Sequence, residues 1–342
     1  MDVKEYASIA EIEDIWNRIY TGNEDISWFQ SFSWNQSLEW AFRNRKVRYR
    51  NCALKYIVYD GRFIVPAVVS KKENYIEFLG TKESSDYLSF IYDRSASQTE
   101  LSEWVRFFLE DYAGYSIRLE RINVTSRIYG IVKEVVAHSN GAWKEELRDC
   151  VVVPTRKDSE TFVASLSKSA RQNYRTALNR IRKDGLQYEV TSGFGTVSEE
   201  IAAMLLTVYR DRRADCDEAN NVAGRAAGFA RGVIKKALGE NDIDILSDYS
   251  RKEKLFLALI RIDGELAAFC EGNLNNRQNC ISIARVATKS DYYKYSPGNI
   301  MLIETIEKLK NEIEFFDLTR GIEDYKFRLG GVIHHNACFY LN

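Results

Sequence analysis

The sequence predicts an α/β (α+β) protein built from two similar units in tandem, and three observations carry that expectation. At 342 residues the chain is long for a single core and suggests about two domains of ordinary size. Two Asp-Gly pairs, Asp60-Gly61 and Asp263-Gly264, each sit between β-rich runs, a strong short hairpin signal. Both halves also show helices, such a hairpin, a further strand and another helix.

In the first half, MDVKEYASIAEIEDIWNRIY reads as an amphipathic helix after a short start. In SWFQSFSWNQSLEWAF, Trp34, Leu38 and Phe42 recur at helical spacing. LKYIVYDGRFIVPAVVS is the first hairpin, and NYIEFLG and DYLSFIYD read as further strands. A helix over LSEWVRFFLEDYA, a strand over YSIRLERIN and a helix ending at Asn140-Gly141 follow, and LRDCVVVP closes the half.

The boundary is expected near Pro154, dividing 1–153 from 154–342. Asp158 or Ser159 is the expected cap of one long helix running through Lys183 and stopping at Asp184-Gly185. QYEVTSG reads as a strand, and EEIAAMLLTVYRDRRA and GRAAGFARGVIKKALG as helices, the second ending at Gly239. The second hairpin, LFLALIRIDGELAAFCEGNLN, leads to the strand NCISIARVAT and the loop KSDYYKYSPGN. The helix NIMLIETIEKLKN and the strands IEFFDLTR and NACFYL complete the chain.

The bulk composition narrows the function classes. With 45% apolar residues, 28% charged residues and a net charge of -1, the chain has no global polyanion-binding charge. The start lacks the basic-then-apolar order of a signal peptide, and the run LFLALI is cut by Arg261, short of a membrane span. A cytoplasmic location is expected. The six cysteines form no CxxC pair and read as buried thiols rather than a zinc or redox motif. Neither GxxxxGK[ST], GxGxxG nor GxSxG occurs. With three histidines, of which adjacent His334 and His335 would face opposite sides of a strand, no metal site is expected.

Three places could carry chemistry. On the helix after Phe162, Lys168, Arg171, Arg175, Asn179 and Arg182 fall within about 80° of one another at helical spacing. Phe162, Leu166, Ala170, Ala177 and Ile181 cluster on the other side. Residues 151–185 hold eight Lys or Arg against three Asp or Glu, so this stripe either meets phosphates or is a solvated basic face. The second place is the helix start at Ser296, Pro297, Gly298 and Asn299. It offers free N–H groups and the positive end of a helix dipole to an anion, or is a common turn. The third is FFDLTRGIEDYKFRLG, where Asp317 could orient an amine or accept its proton. There Lys326, beside Tyr325, could hold negative charge; the alternative is a polar hairpin with a surface ion pair.

SKSARQNYRTALNRIRKDG, SPGNIMLIETI and, most specifically, DLTRGIEDYKFRLG resemble the C-terminal half of the CelD-like and FemAB-like branch of the GNAT acyltransferases. FQSFSWNQSLEWAF, IVPAVVS and FLGTKESSDYLSF are similar to its N-terminal half, so the resemblance covers nearly the whole chain. It implies two tandem GNAT-like units with mixed, mostly antiparallel central sheets, a degenerate one over 1–153 and the acyltransferase domain over 154–342. It also implies transfer of an acyl or aminoacyl group to an amine. The strand around Val286 would splay open for the pantetheine arm of an acyl-CoA, acetyl-CoA in the simplest case. Ser296, Pro297, Gly298 and Asn299 would take the place of the pyrophosphate loop, although they depart from the usual Gln/Arg and spaced glycines. Asp317 would orient or deprotonate the amine and Tyr325 would protonate the leaving thiolate. Lys168, Arg171, Arg175 and Lys326 would meet anionic groups, and Asp86-Tyr87 would match a recurrent pair of the family. The implied acceptor is an amine on a sugar-nucleotide or glycan precursor. FemAB-like relatives use aminoacyl-tRNA instead, often with a coiled-coil arm for which this sequence has no heptad run.

Overall fold

The computed structural model describes residues 1–45, 48–83, 85–139, 141–156, 158–197, 243–275 and 279–342. The two helices expected over 199–214 and 224–239, and Cys216, lie outside the described residues. The chain divides into two compact units. One comprises Met1–Cys150 with His334–Asn342, and the other Val151–Leu274 with most of the stretch up to Ile333. The change of unit at Val151 lies close to the expected boundary, but the last nine residues return to the N-terminal unit. The reason is in the pairing: Ala337 to Leu341 are antiparallel partners of Ile117 to Ile122.

In the N-terminal unit, β1 (Val3–Tyr6) edges the hairpin β2 (Cys52–Tyr59) and β3 (Phe63–Ser70), followed by β4 (Tyr75–Phe78), β6 (Ser116–Asn123) and β13 (Val332–Leu341). All of these pairs are antiparallel except β4 with β6. DYLSFIYD yields only a two-residue strand, β5 (Ile91–Tyr92), beside β3. Helices α1 (Glu13–Thr21), α2 (Phe32–Asn44), α3 (Gln98–Asp111) and α4 (Arg127–Ala137) flank the sheet, and α4 stops at His138, before the expected Asn140-Gly141. Phe63, Phe90, Trp104, Phe108, Ile122 and Phe339 are among the buried side chains of its core. Burying such side chains is worth roughly 2–3 kcal/mol each before the entropy cost of ordering them.

The C-terminal unit repeats this plan. β8 (Tyr188–Gly195) edges the hairpin β9 (Leu255–Ile262) and β10 (Glu265–Leu274), which is followed by β11 (Cys280–Thr288) and β12 (Phe315–Arg320). Here too every pair is antiparallel except the last. The end of β7 (Trp143–Pro154) borders β12. The likeness extends to single bonds. Asp60 donates its N–H to Asp2 O at 2.8 Å and accepts from Asp2 N at 2.7 Å, while Asp263 donates to Gln187 O at 2.9 Å and accepts from Gln187 N at 2.7 Å. Both Asp-Gly turns have positive φ at both residues, the geometry that suits a two-residue hairpin loop.

The helix expected from Asp158 or Ser159 to Lys183 is two helices, α5 (Phe162–Ser165) and α6 (Lys168–Lys183). Leu166 is extended between them, and the hydroxyls of Thr161 and Ser167 cap the two starts by accepting from Ala164 N and Ala170 N. The expected inner face is correct: Phe162, Leu166, Ala170, Ala177 and Ile181 are all buried in one core. That core also takes Ile300, Met301, Ile303 and Ile306 of α8 (Pro297–Leu309), which follows α7 (Ile243–Ser250) in the chain. The segment Asp324–Arg328 forms a short helix, α9, where a polar hairpin was the alternative to a site.

Candidate active site

The site is built where two parallel strands stop pairing. β11 and β12 run side by side for three rungs, Cys280 to Ser282 against Phe315 to Asp317. Beyond them β11 continues to Thr288 and β12 to Arg320 without further paired rungs. At the last rung Ser282 Oγ donates to Asp317 Oδ2 at 3.0 Å, and Asp317 Oδ1 accepts from Thr319 N at 2.8 Å. Thr319 has φ +53° and its hydroxyl donates to Ile283 O at 3.0 Å. This bond crosses between the strands where the ladder ends.

The other side of β11 carries a bulge. Glu271 of β10 faces Arg285, but the next residue, Gly272, faces Ile283, so Ala284 is the extra residue. A side chain at 272 would stand 2.1 Å from Ser282 O, which is why only glycine fits this backbone approach. Across the bulge Arg285 Nη1 lies 3.2 Å from Glu271 Oε1, with both side chains almost wholly enclosed. That oxygen makes no hydrogen bond of good geometry. Burial pushes the Glu271 carboxyl above its ordinary range, and the guanidinium only partly opposes the shift. Sequence reasoning missed this pair. The available signal was one Glu in AAFCEGNL and one Arg in IARVAT, each a charge in an apolar strand.

The helix after β11 starts without a side-chain cap. Ser296 has left-handed backbone angles (φ 49°, ψ 48°), and its carbonyl accepts from Asn299 N at 3.1 Å and Ile300 N at 3.3 Å. Pro297 is the first helical residue and is buried. A side chain at Gly298 would come within 2.9 Å of Thr288 Oγ1, so this helix start abuts the end of β11. Asn299 Oδ1 is buried and has no hydrogen-bond partner among the described residues. Val286 is half-buried against the core and pairs with Cys270, whose thiol is pushed up to about 12 by burial.

The other expected residues divide into two groups. Lys326 is enclosed at 2% exposure and its ammonium is spoken for. It donates to the carbonyls of Arg320, Gly321 and Thr319 at 2.6, 3.2 and 3.4 Å and pairs with Glu323 at 3.0 Å. Arg171 likewise donates to the carbonyls of Ala164 and Leu166, closing the end of α5. These two cations hold backbone in this structure. Lys168 and Arg175 are exposed on α6 with no ion pair among the described residues. The far end of α6 is tied to the loop before Ser296, by Arg180 to Lys294 O at 2.9 Å and Tyr295 OH to Asp184 at 2.7 Å. Tyr325 is half-buried against the same core. Asp86 belongs to the N-terminal unit, where its carbonyl accepts from Asn336 at 2.9 Å and the neighbouring Tyr87 hydroxyl meets His334 Nε2 at 3.1 Å.

Among the described residues no group of His, Cys, Asp and Glu has the arrangement of a metal site. Nor is any described helix long and apolar enough to cross a membrane.

Residues 168–327 match the family model of an acetyltransferase (GNAT) domain. That segment, which lies almost wholly in the C-terminal unit, is similar to a GNAT acetyltransferase domain. Solved structures extend the likeness to the whole length of the chain. The C-terminal domain (DUF2156) of an Agrobacterium fabrum protein described as a lysylphosphatidylglycerol synthetase superposes with TM-score 0.55 at 13% identity, over 98% of this chain and 93% of that one. The L-PGS of Bacillus licheniformis gives 0.56 at 12%, over 99% and 94%. FemX gives 0.50 at 12%, over 100% and 98%. At such identities the shared property is the fold. No curated protein sequence matches the chain.

Proposed function

We propose that the C-terminal unit is an acyl-CoA-dependent N-acyltransferase, moving an acyl group, acetyl in the simplest case, to an amine on a sugar or glycan precursor. One observation carries the reading: the two units share a plan, yet of the two helices that follow the parted strands only that of the second unit starts without a side-chain cap. In the N-terminal unit, β4 and β6 also pair in parallel for three rungs and then stop. There Arg121 fills the place, donating to the carbonyls of Gly80, Thr81, Glu83 and Ser85. The helix after β4 and β5, α3, is also sealed by a reciprocal cap between Ser97 and Glu100. In the C-terminal unit Ser296 gives its helix no such cap. Its first N–H groups and the helix dipole suit the pyrophosphate of a CoA thioester.

In this reading the amine attacks the thioester carbonyl, the C–N bond forms, the C–S bond breaks and one proton leaves the nitrogen. Asp317, fixed by Ser282 and Thr319, orients the amine. The enclosed Glu271 is the second candidate to receive the proton, its raised affinity suiting a base that works near neutrality. Tyr325 returns a proton to the thiolate. Lys326 keeps the backbone of 319–321 in shape, and Lys168 and Arg175 meet anionic parts of donor or acceptor.

A second reading has aminoacyl-tRNA as donor, and the exposed basic face of α6 favours it. Release of free thiol from acetyl-CoA, dependent on an added amino sugar, tests the first. Absence of thiol release together with salt-sensitive binding of charged tRNA would replace it by the second.

A further inference from the structure

The N-terminal unit contains a cavity of about 630 Å³ that has no part in the proposed transfer. It runs along one face of α3, whose Thr99, Glu103, Arg106 and Glu110 recur at helical spacing, and reaches the last turn of α4. Its floor is apolar: Leu109, Ile117 and Leu341 are buried beneath it and Val135 is half-buried at its side.

The rim has the opposite character. Glu103, Glu110 and Glu134 line it, and none of the three carboxylates makes an ion pair or hydrogen bond among the described residues. Arg106 and His138 are the basic side chains in the lining, and His138 Nδ1 lies 2.8 Å from Glu134 O. Two of the acids also stand where helices disfavour them. Glu110 lies in the last turn of α3 and Glu134 in the last turn of α4, at the negative ends of the two dipoles, and neither last turn contains a basic residue. Three free carboxylates therefore face the cavity above an apolar floor.

We propose that this cavity is a binding site for a small organic cation, an ammonium group carried on an apolar body. The ammonium meets the carboxylates of Glu103, Glu110 and Glu134, and the apolar body covers Leu109, Ile117, Val135 and Leu341. The site is independent of the transferase reading, since it uses no residue of the C-terminal unit.

Phenethylamine is the probe, titrated into the full chain with methyl NMR as readout and 2-phenylethanol as its uncharged counterpart. Saturable shifts at the methyls of Leu109, Ile117, Val135 and Leu341 are expected, with the alcohol weaker by about tenfold. The combined variant Glu103→Gln, Glu110→Gln, Glu134→Gln changes exposed side chains only, so it folds. It should weaken the amine by about tenfold and leave acetyl-CoA binding as it was. No shift at these methyls, equal affinity for amine and alcohol, or unchanged affinity in the variant would each overturn the proposal.

Discussion

Ser282 donates to Asp317 at 3.0 Å on the last rung that β11 and β12 share, so one hydrogen bond marks where the ladder ends and the strands part. Asp317 is 4% exposed, and a buried carboxylate deprived of its donors keeps the full cost of its desolvation. Ser282→Ala should lower unfolding stability by about 1 kcal/mol and Asp317→Ala by about 3 kcal/mol in urea titrations. Asp317→Asn, which still accepts from Thr319 N, should keep more stability than Asp317→Ala while losing most turnover. Full turnover in Asp317→Asn would remove Asp317 from the reaction.

Lys326 illustrates a charge whose role is mechanical. Its three carbonyl acceptors and Glu323 lie around a 2%-exposed ammonium. Lys326→Met should cost about 2–3 kcal/mol of stability, because three carbonyls lose a charged donor. Any loss of activity should be accompanied by a lower melting temperature. A variant that melts like the parent but no longer binds donor would show that Lys326 contacts the ligand after all.

Gly272 is the narrowest point of the bulge. Gly272→Ala places a methyl 2.1 Å from Ser282 O and should cost about 3 kcal/mol or more. Gly264→Ala, at φ +85° with nothing within 4 Å, should cost only about 1 kcal/mol. Equal costs by chemical denaturation would mean that β10 and β11 do not approach as closely as described.

The Glu271 carboxyl gives a pH signature of definite sign. Its folded-state pKa is raised by burial above the unfolded value, so the folded state binds the proton more tightly. Its contribution is greatest at low pH and is lost as pH rises from the unfolded pKa through the folded one. Across that window stability should fall with rising pH, and Glu271→Gln should flatten the slope. If Glu271 also accepts the amine proton, turnover should rise over the same window in the parent and be lost in the variant. An unchanged slope in Glu271→Gln would show that the carboxyl is not perturbed.

Much of this architecture was legible because it depends on local chemistry. The Asp-Gly pairs fixed both hairpins, the spacing of Ala170, Ala177 and Ile181 fixed the buried face of α6, and Ser296-Pro297 fixed the start of α8. What was illegible depends on partners distant in sequence. The return of Ala337 to the N-terminal unit is decided by its pairing with Ile122, and β5 is short because only Phe63 and Ile64 are there to pair with it. Lys326 and Arg171 carry the right charge for a phosphate site, and only the positions of backbone carbonyls reveal that they are engaged. The Glu271–Arg285 pair was hidden for the same reason, since fourteen positions of sequence separate two residues that a bulge sets face to face.

In the proposed function the uncapped helix start at Ser296 receives the thioester donor. Calorimetry of acetyl-CoA against the full chain and Gly298→Trp, with melting curves for both, tests it most directly. Saturable binding is expected for the parent, and loss of binding for a variant that still melts cooperatively. Equal affinity in both proteins, or no binding by the parent, would contradict it.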